Sequence, residues 1–279
     1  MRSNGMLTRR QLLRRSAGSL LAAGLWPGGI AAVDSPADGD FSFIAVNDLH
    51  YFDERCGPWF EKMVKQMQAC RKANPRLKKG PEFCLVVGDL ADNGKAAQLG
   101  PLREILRTLQ IPYHVVIGNH DYLAQDNRRA FEDLFPNSLN YHFQHAGWQF
   151  IGLDSSDGQK TQVAVQPPTL RWLDHQLPKL DKRCPTVLFT HMPLGPWVIY
   201  RASNADEVLD RLKAFNLVAV LNGHFHSSTL RHRGAAAITT NRCCSFHKKN
   251  HDGTKEKGFF LCRAKDGKVE REFIEVTPS

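Results

Sequence analysis

Ile111-Pro112-Tyr113-His114-Val115-Val116-Ile117-Gly118-Asn119-His120-Asp121 is the stretch that decides how the chain is read. Ile111 to Ile117 is rich in β-branched residues over a strand's length, and Gly118 closes it, so a buried strand is expected here. An amide, an imidazole and a carboxylate then follow at the strand's C-terminal tip, the edge where open α/β sheets bind ligands. Alone, Gly-Asn is ordinary turn chemistry. Its meaning depends on whether other strands end in the same way.

Four others do. Phe41 to Val46 reads as a strand ending in Asn47-Asp48-Leu49-His50; if the chain is still extended there, Asp48 and His50 point to one side. Phe83 to Val87 is a second, ended by Gly88-Asp89. Asp92 and Asn93 beyond it are expected to cap a helix from about Lys95 to Leu109. Thr186 to Thr190 ends at His191, and Leu217 to Leu221 ends in Asn222-Gly223-His224-Phe225-His226. Among the connecting segments, Pro58 opens a helix whose Trp59, Phe60, Met63, Val64 and Met67 form a core stripe. Further helices are expected around 128–135, 169–180 and 205–215, and a hairpin at Ala146-Gly147. Ala235 to Thr240, Gly258 to Arg263 and Lys268 to Val276 read as strands contributing a second sheet, with Asp266-Gly267 as a turn.

The N-terminus is of another kind. Thr8-Arg9-Arg10-Gln11-Leu12-Leu13-Arg14 resembles a twin-arginine motif, followed by a weakly apolar stretch from Ser16 to Ala32 and small residues at a cleavage point. Residues 1–32 are therefore expected to be an export signal read by the twin-arginine machinery, and 33–279 the single folded domain, delivered to the periplasm or another extracytoplasmic space. Pro27-Gly28-Gly29 interrupts the apolar stretch, so no stable membrane span is expected after processing. The signal holds five arginines and no acid, so its removal lowers the net charge from +9 to +4. That balance supplies no charge-based case for a nucleic-acid partner. The seven cysteines, at 56, 70, 84, 184, 243, 244 and 262, include no Cys-x-x-Cys pair, which excludes zinc-finger and thioredoxin chemistry.

Asp48, His50, Asp89, Asn119, His191, His224 and His226 thus all lie just past apolar strands. Seven mixed nitrogen and oxygen ligands exceed what one ion needs. Two ions about 3.5–4 Å apart and sharing a carboxylate would use them all, as in two-metal phosphoryl hydrolysis. Carboxylates and imidazoles without thiolates suit Mn, Fe or Zn.

The order Asp-x-His, Gly-Asp, Gly-Asn-His-Asp, His, Gly-His-x-His resembles the calcineurin-like metallophosphoesterases over residues from about 43 to 230. The resemblance implies an α/β fold, a four-layer α-β-β-α sandwich of two mixed β-sheets. It implies one metal held by Asp48, His50, Asp89 and His226, and a second held by Asp89, Asn119, His191 and His224, with Asp89 bridging. His120 would touch the phosphate and protonate the leaving oxygen, with Asp121 orienting it. The reaction implied is hydrolysis of a small phosphoester substrate by a hydroxide activated between the metals. Asp92 stands where purple acid phosphatases carry a Tyr ligand, and Asn93 where protein Ser/Thr phosphatases carry Arg. The chain is most similar to the small bacterial phosphodiesterases; a phosphomonoesterase with the same site, or a non-catalytic metal-binding scaffold, are the alternatives. The tract from Arg242 to Lys249, with His247 and His251, is either a basic rim for an anionic substrate or a solvated loop.

Overall fold

Alternation along the strands builds the layers. In β1 (Phe41–Val46), Phe41, Phe43 and Ala45 face one way and Ile44 and Val46 the other. β2 (Cys84–Val87) and β3 (Tyr113–Val116) divide in the same way, and all three run parallel. Both faces of such strands are buried, as parallel sheets require. The computed structural model describes residues 39–73 and 80–277, so the expected export signal at 1–32 lies outside the described residues.

The remaining strands are β4 (Tyr141–His145), β5 (Trp148–Leu153), β6 (Thr186–Thr190), β7 (Leu217–Asn222), β8 (Thr229–Arg233), β9 (Ala236–Thr240), β10 (Gly258–Lys265) and β11 (Lys268–Glu275). They complete a five-stranded sheet, β11-β10-β1-β2-β3, and a six-stranded sheet, β4-β5-β6-β7-β9-β8. Each is mixed: β10 and β11 are antiparallel additions to the first, and β4 and β8 to the second. Phe43, Leu85 and Val87 of the first sheet interdigitate with Trp148, Phe150, Val187 and Phe189 of the second.

The outer faces carry helices. α1 (Gly57–Ala73), α2 (Ala96–Arg107) and α3 (Arg129–Leu134) cover the first sheet, with Phe60, Met63, Leu102 and Phe131 fully buried. α4 (Pro167–Gln176) and α5 (Ala205–Arg211) cover the second through Leu173, Val208 and Leu209. The architecture is the expected four-layer sandwich of two mixed sheets. Among the described residues no helix is long and apolar enough to cross a membrane.

Three expectations are corrected. The final hairpin, β10–β11, joins the first sheet through pairing of β10 with β1, and only β9 of the C-terminal strands foreseen enters the second. β8 is an additional strand, a half-exposed edge whose Thr-Leu-Arg-His-Arg carries little apolar signal. Asp92 and Asn93 do not cap α2: Lys95 occupies the N-cap without a side-chain bond, and the Asp92 carboxylate turns toward the strand tips.

Candidate dinuclear metal centre

The C-terminal tips of β1, β2, β3, β6 and β7 supply every residue of the centre, and backbone bonds lace the tips together. Asp48 N–H donates to the Gly88 carbonyl (3.1 Å), His50 N–H to that of Asp89 (2.9 Å) and Gly223 N–H to that of His191 (3.0 Å). Asp48, His50, Asp89, His224 and His226 all have left-handed backbones, with φ of 53°, 48°, 52°, 65° and 46°. Asp48 and His50 therefore do not converge by extended alternation, as expected from the sequence. Each strand stops and the chain turns sharply, aiming successive side chains into one cleft, at a conformational cost common at functional sites.

Three glycines leave room for these side chains. A Cβ on Gly118 would collide with the Asp89 carboxylate, one on Gly88 with the His191 ring, and one on Gly223 would lie 2.9 Å from Asp48 Oδ2. Gly88 also has φ of 80°, which favours glycine in its own right.

The side chains meet in two groups. Asp48, His50, Asp89 and His226 offer ligand atoms within 4.8 Å of one another, and so do Asp89, His191 and His224; Asp89 belongs to both. His226 Nε2 lies 3.2 Å from Asp48 Oδ1, and His191 Nε2 lies 3.2 Å from Asp89 Oδ2. Asn119 Oδ1 is 3.3 Å from His191 Nε2, which places the amide beside the second group.

The imidazoles are oriented from behind. His191 Nδ1–H donates to the Val87 carbonyl (3.0 Å), His224 Nε2–H to that of Thr161 (3.0 Å) and His226 Nδ1–H to that of Lys249 (3.3 Å). His50 Nδ1 faces Asp92 Oδ1 at 3.5 Å. Each ring thus presents its other nitrogen to the cleft, the arrangement of metal-binding histidines. Nε2 of His50 and Nε2 of His226 aim at one another across 3.1 Å, and two such lone pairs need a cation or proton between them. The donor set fits two divalent cations.

Charge makes the same demand. Burial would raise Asp48 and Asp89, yet His226 and His191 hold both carboxyls well below the usual range. In return, against burial, Asp48 pushes His226 up to about 11 and Asp89 pushes His191 up to about 9. Burial lowers His50 and His224 to about 4 each, so these two rings are neutral donors at pH 7. Two buried carboxylates draw positive charge into the cleft, as protons or as metal.

His120 and Asp121 separate. His120 lies at the cleft wall with its side chain 34 % exposed, and its Nδ1–H donates to the Asp92 carbonyl at 2.8 Å. Asp121 does not orient it. Both Asp121 oxygens are occupied elsewhere, accepting from Ala91 N–H (2.8 Å) and Gly118 N–H (2.9 Å), so this carboxylate ties the β2 tip to the β3 tip. Burial and the neighbouring Asp89 raise it to about 8 against those two bonds. Asp92, read from the sequence as a cap, is the residue sequence reasoning missed. Its Oδ1 lies 2.7 Å from Lys248 Nζ, 3.5 Å from His247 Nε2 and 4.0 Å from His120 Nδ1. The one signal for it was its place three residues beyond Asp89. A cavity of about 320 Å³ opens on the centre, lined also by Lys248, Lys249, His251, Thr161 and Tyr200. All seven cysteines are free thiols.

Residues 41–228 match the family described as calcineurin-like phosphoesterases. Over 122 residues the chain is 35% identical to a probable glycerophosphodiester phosphodiesterase of Arcobacter nitrofigilis, covering 42% of this chain and 44% of that one. Over 181 residues it is 29% identical to a 3′,5′-cyclic-nucleotide phosphodiesterase of Nostoc, covering 62% and 65%. These matches span about half and two thirds of the relatives' lengths. A purple acid phosphatase from yellow lupin seeds shares the fold, with a TM-score of 0.61 at 12% identity over 86% of this chain and 52% of that one.

Two outcomes follow from the packing and the charge. Gly118→Ala displaces the Asp89 carboxylate while the sheets stay intact, so metal affinity falls by about 10–100-fold, read by titration calorimetry, with an unchanged far-ultraviolet circular dichroism spectrum. Because His191 and His226 hold protons that a metal must displace, binding releases protons and its affinity rises with pH until both rings have titrated, at about 9 for His191 and about 11 for His226. Calorimetry in buffers of different ionisation enthalpy measures that release; pH-independent affinity between 6 and about 9 would contradict it.

Proposed function

We propose, from the premise that the chain belongs to the calcineurin-like phosphoesterase family, that it hydrolyses phosphodiesters at this centre with two divalent or transition metal ions, Mn, Fe or Zn. The observation that carries the reading is Asp89, shared by two buried ligand groups that draw on four of the five strand tips, with Asn119 of the fifth beside the second group. Asp48, His50, Asp89 and His226 would hold one ion, and Asp89, Asn119, His191 and His224 the other. When bound, the pair supplies charge neutralisation for the phosphate oxygens and activation of water as nucleophile. The names of the Arcobacter and Nostoc relatives, both phosphodiesterases, favour a diester over a monoester.

The chain's own groups do the rest. His120, fixed at Nδ1 by the Asp92 carbonyl, has Nε2 left for the cleft, where it hydrogen-bonds a phosphate oxygen and gives a proton to the departing alkoxide. Asp121 serves as a strut for the Asp89 and His120 loops. Lys248 and Lys249 line the cavity and add positive potential along the approach of an anionic ester.

Turnover of bis-p-nitrophenyl phosphate faster than p-nitrophenyl phosphate by Mn- or Zn-loaded protein tests the diesterase reading. The reverse order favours a monoesterase, and no turnover of either by fully metallated protein favours a scaffold. His120→Ala retains both ions and loses about 10²–10⁴-fold in kcat. Asp89→Ala loses metal and activity together; metal loss from the His120 variant would remove that residue's assigned role.

We further propose export through the twin-arginine route, with residues 1–32 as signal and 33–279 as the delivered domain, on the strength of Arg9-Arg10 and the apolar stretch behind them. That route carries folded proteins, so metal could be loaded before export. Changing Arg9 and Arg10 together to Lys leaves the protein cytoplasmic on fractionation; unchanged export overturns this assignment.

A further inference from the structure

We propose that the cleft continues past Tyr200 into a second subsite, which binds the uncharged alcohol portion of a phosphodiester, a group with the chemistry of a nucleoside. This rests on the phosphodiesterase reading above. A cavity of about 520 Å³ is lined by Gln162, Val163, Ala164, Val198, Tyr200 and Ser203, among others. It shares Tyr200 with the cavity over the metal centre, and Thr161, which lines that first cavity, precedes Gln162 in the chain. The two spaces therefore adjoin at Tyr200. Each is within the size range of small-molecule sites.

The second cavity is built in advance. Its walls are the loops 157–166 and 195–203, stitched together by Ser203 N–H donating to the Val163 carbonyl (2.9 Å), Val165 N–H to Asn204 Oδ1 (2.8 Å) and Asn204 Nδ2 to the Val165 carbonyl (3.0 Å). The first loop is also anchored to the centre, since the Thr161 carbonyl accepts from His224. A ligand here meets a formed surface and orders little on binding.

Its chemistry suits a neutral group with a flat face. The cationic residues at its edge are already matched, Lys160 to Asp157 at 2.6 Å and Arg201 to Asp206 at 2.8 Å, so the site holds no charge in reserve for a second anion. The basic wall lies elsewhere, at Lys248 and Lys249. What this cavity offers is buried Val163 and Val198, the Gln162 amide and the Ser203 hydroxyl. Trp197, 92 % exposed, and Tyr200 flank Val198 on one loop, both left-handed with φ of 61° and 62°. Bulky residues rarely adopt that backbone, and here it accompanies the placing of Tyr200 on the cavity's lining. An aromatic ring beside an amide and a hydroxyl matches the ring face, base edge and sugar hydroxyls of a nucleoside.

The test uses the metallated full chain and Ala164→Trp, which fills the cavity away from the metal centre. Thymidine is titrated by calorimetry, and kcat/KM is measured for thymidine 5′-(p-nitrophenyl phosphate) and methyl p-nitrophenyl phosphate. The wild type binds thymidine saturably and the variant does not; kcat/KM for the nucleoside ester falls about tenfold or more while that for the methyl ester stays within about twofold. Gln162→Ala shifts the same ratio in the same direction and carries the test if Ala164→Trp does not fold. Unchanged thymidine binding, or equal losses on both esters, overturns the subsite. If neither ester is hydrolysed but thymidine binding is abolished by the variant, the subsite stands and the phosphodiesterase reading falls. Turnover of both esters without thymidine binding removes the subsite alone.

Discussion

Two carboxylates, Asp48 and Asp89, are fully buried at adjacent strand tips, and the rest of the centre follows from that constraint. An uncompensated buried carboxylate is among the most unfavourable things a fold can contain. Asp48 is answered by His224 N–H at 3.1 and 3.0 Å to its two oxygens, by the Asn47 amide and by His226; Asp89 by His120 N–H at 2.9 Å and by His191. The neutral donors among these partners do not remove the negative charge. They aim it, so that a site made of protein groups alone must hold protons on imidazoles that a divalent cation would replace.

The sandwich behind the tips makes this tolerable. Left-handed backbone at five non-glycine residues costs on the order of 1–2 kcal/mol each, a sum comparable with the whole stability of a small domain. Sheets whose inner faces interlock through Phe43, Trp148, Phe150 and Phe189 hold the strand ends fixed, so the strain cannot relax by the tips drifting apart. The glycines act in the same sense. Gly88, Gly118 and Gly223 let the tips approach until carboxylate and imidazole occupy space that any Cβ would claim.

The five tips were legible in the sequence because both halves of the signal are local: a β-branched run announces a buried strand, and the next residues are ligand types. What was not legible depends on encounters between distant segments. Asp92 sits in a stretch where an acid is ordinarily a cap, and only the fold brings His50, His120 and Lys248 around it. Asp121 beside His120 suggested a partner for it, yet a short turn sends the two side chains apart. The sheet assigned to β10–β11 depended on a pairing with β1 that no local pattern encodes. Left-handed backbones at Asp48 and His50 were likewise hidden, since Asp and His are acceptable in either conformation.

Asp92 shows why the substrate side and the ligand side of this centre cannot vary independently. Burial would raise its carboxyl, but His50 and Lys248 hold it well below the usual range, so it stays an anion between the two. Its Oδ1 faces His50, whose other nitrogen points to the first ligand group, and meets the ammonium of Lys248 on the cavity wall; its carbonyl fixes His120. The tract carrying Lys248 also supplies the Lys249 carbonyl that orients His226, and Lys257 Nζ fastens that tract through the Lys248 carbonyl at 2.6 Å. A change at these lysines therefore reaches two histidines of the first ligand group and the proposed proton donor through one carboxylate and two carbonyls. The cost of altering substrate preference at Lys248 or Lys249 falls on the metal centre, and the Thr161 carbonyl, which orients His224, ties the 157–166 loop to that centre in the same way.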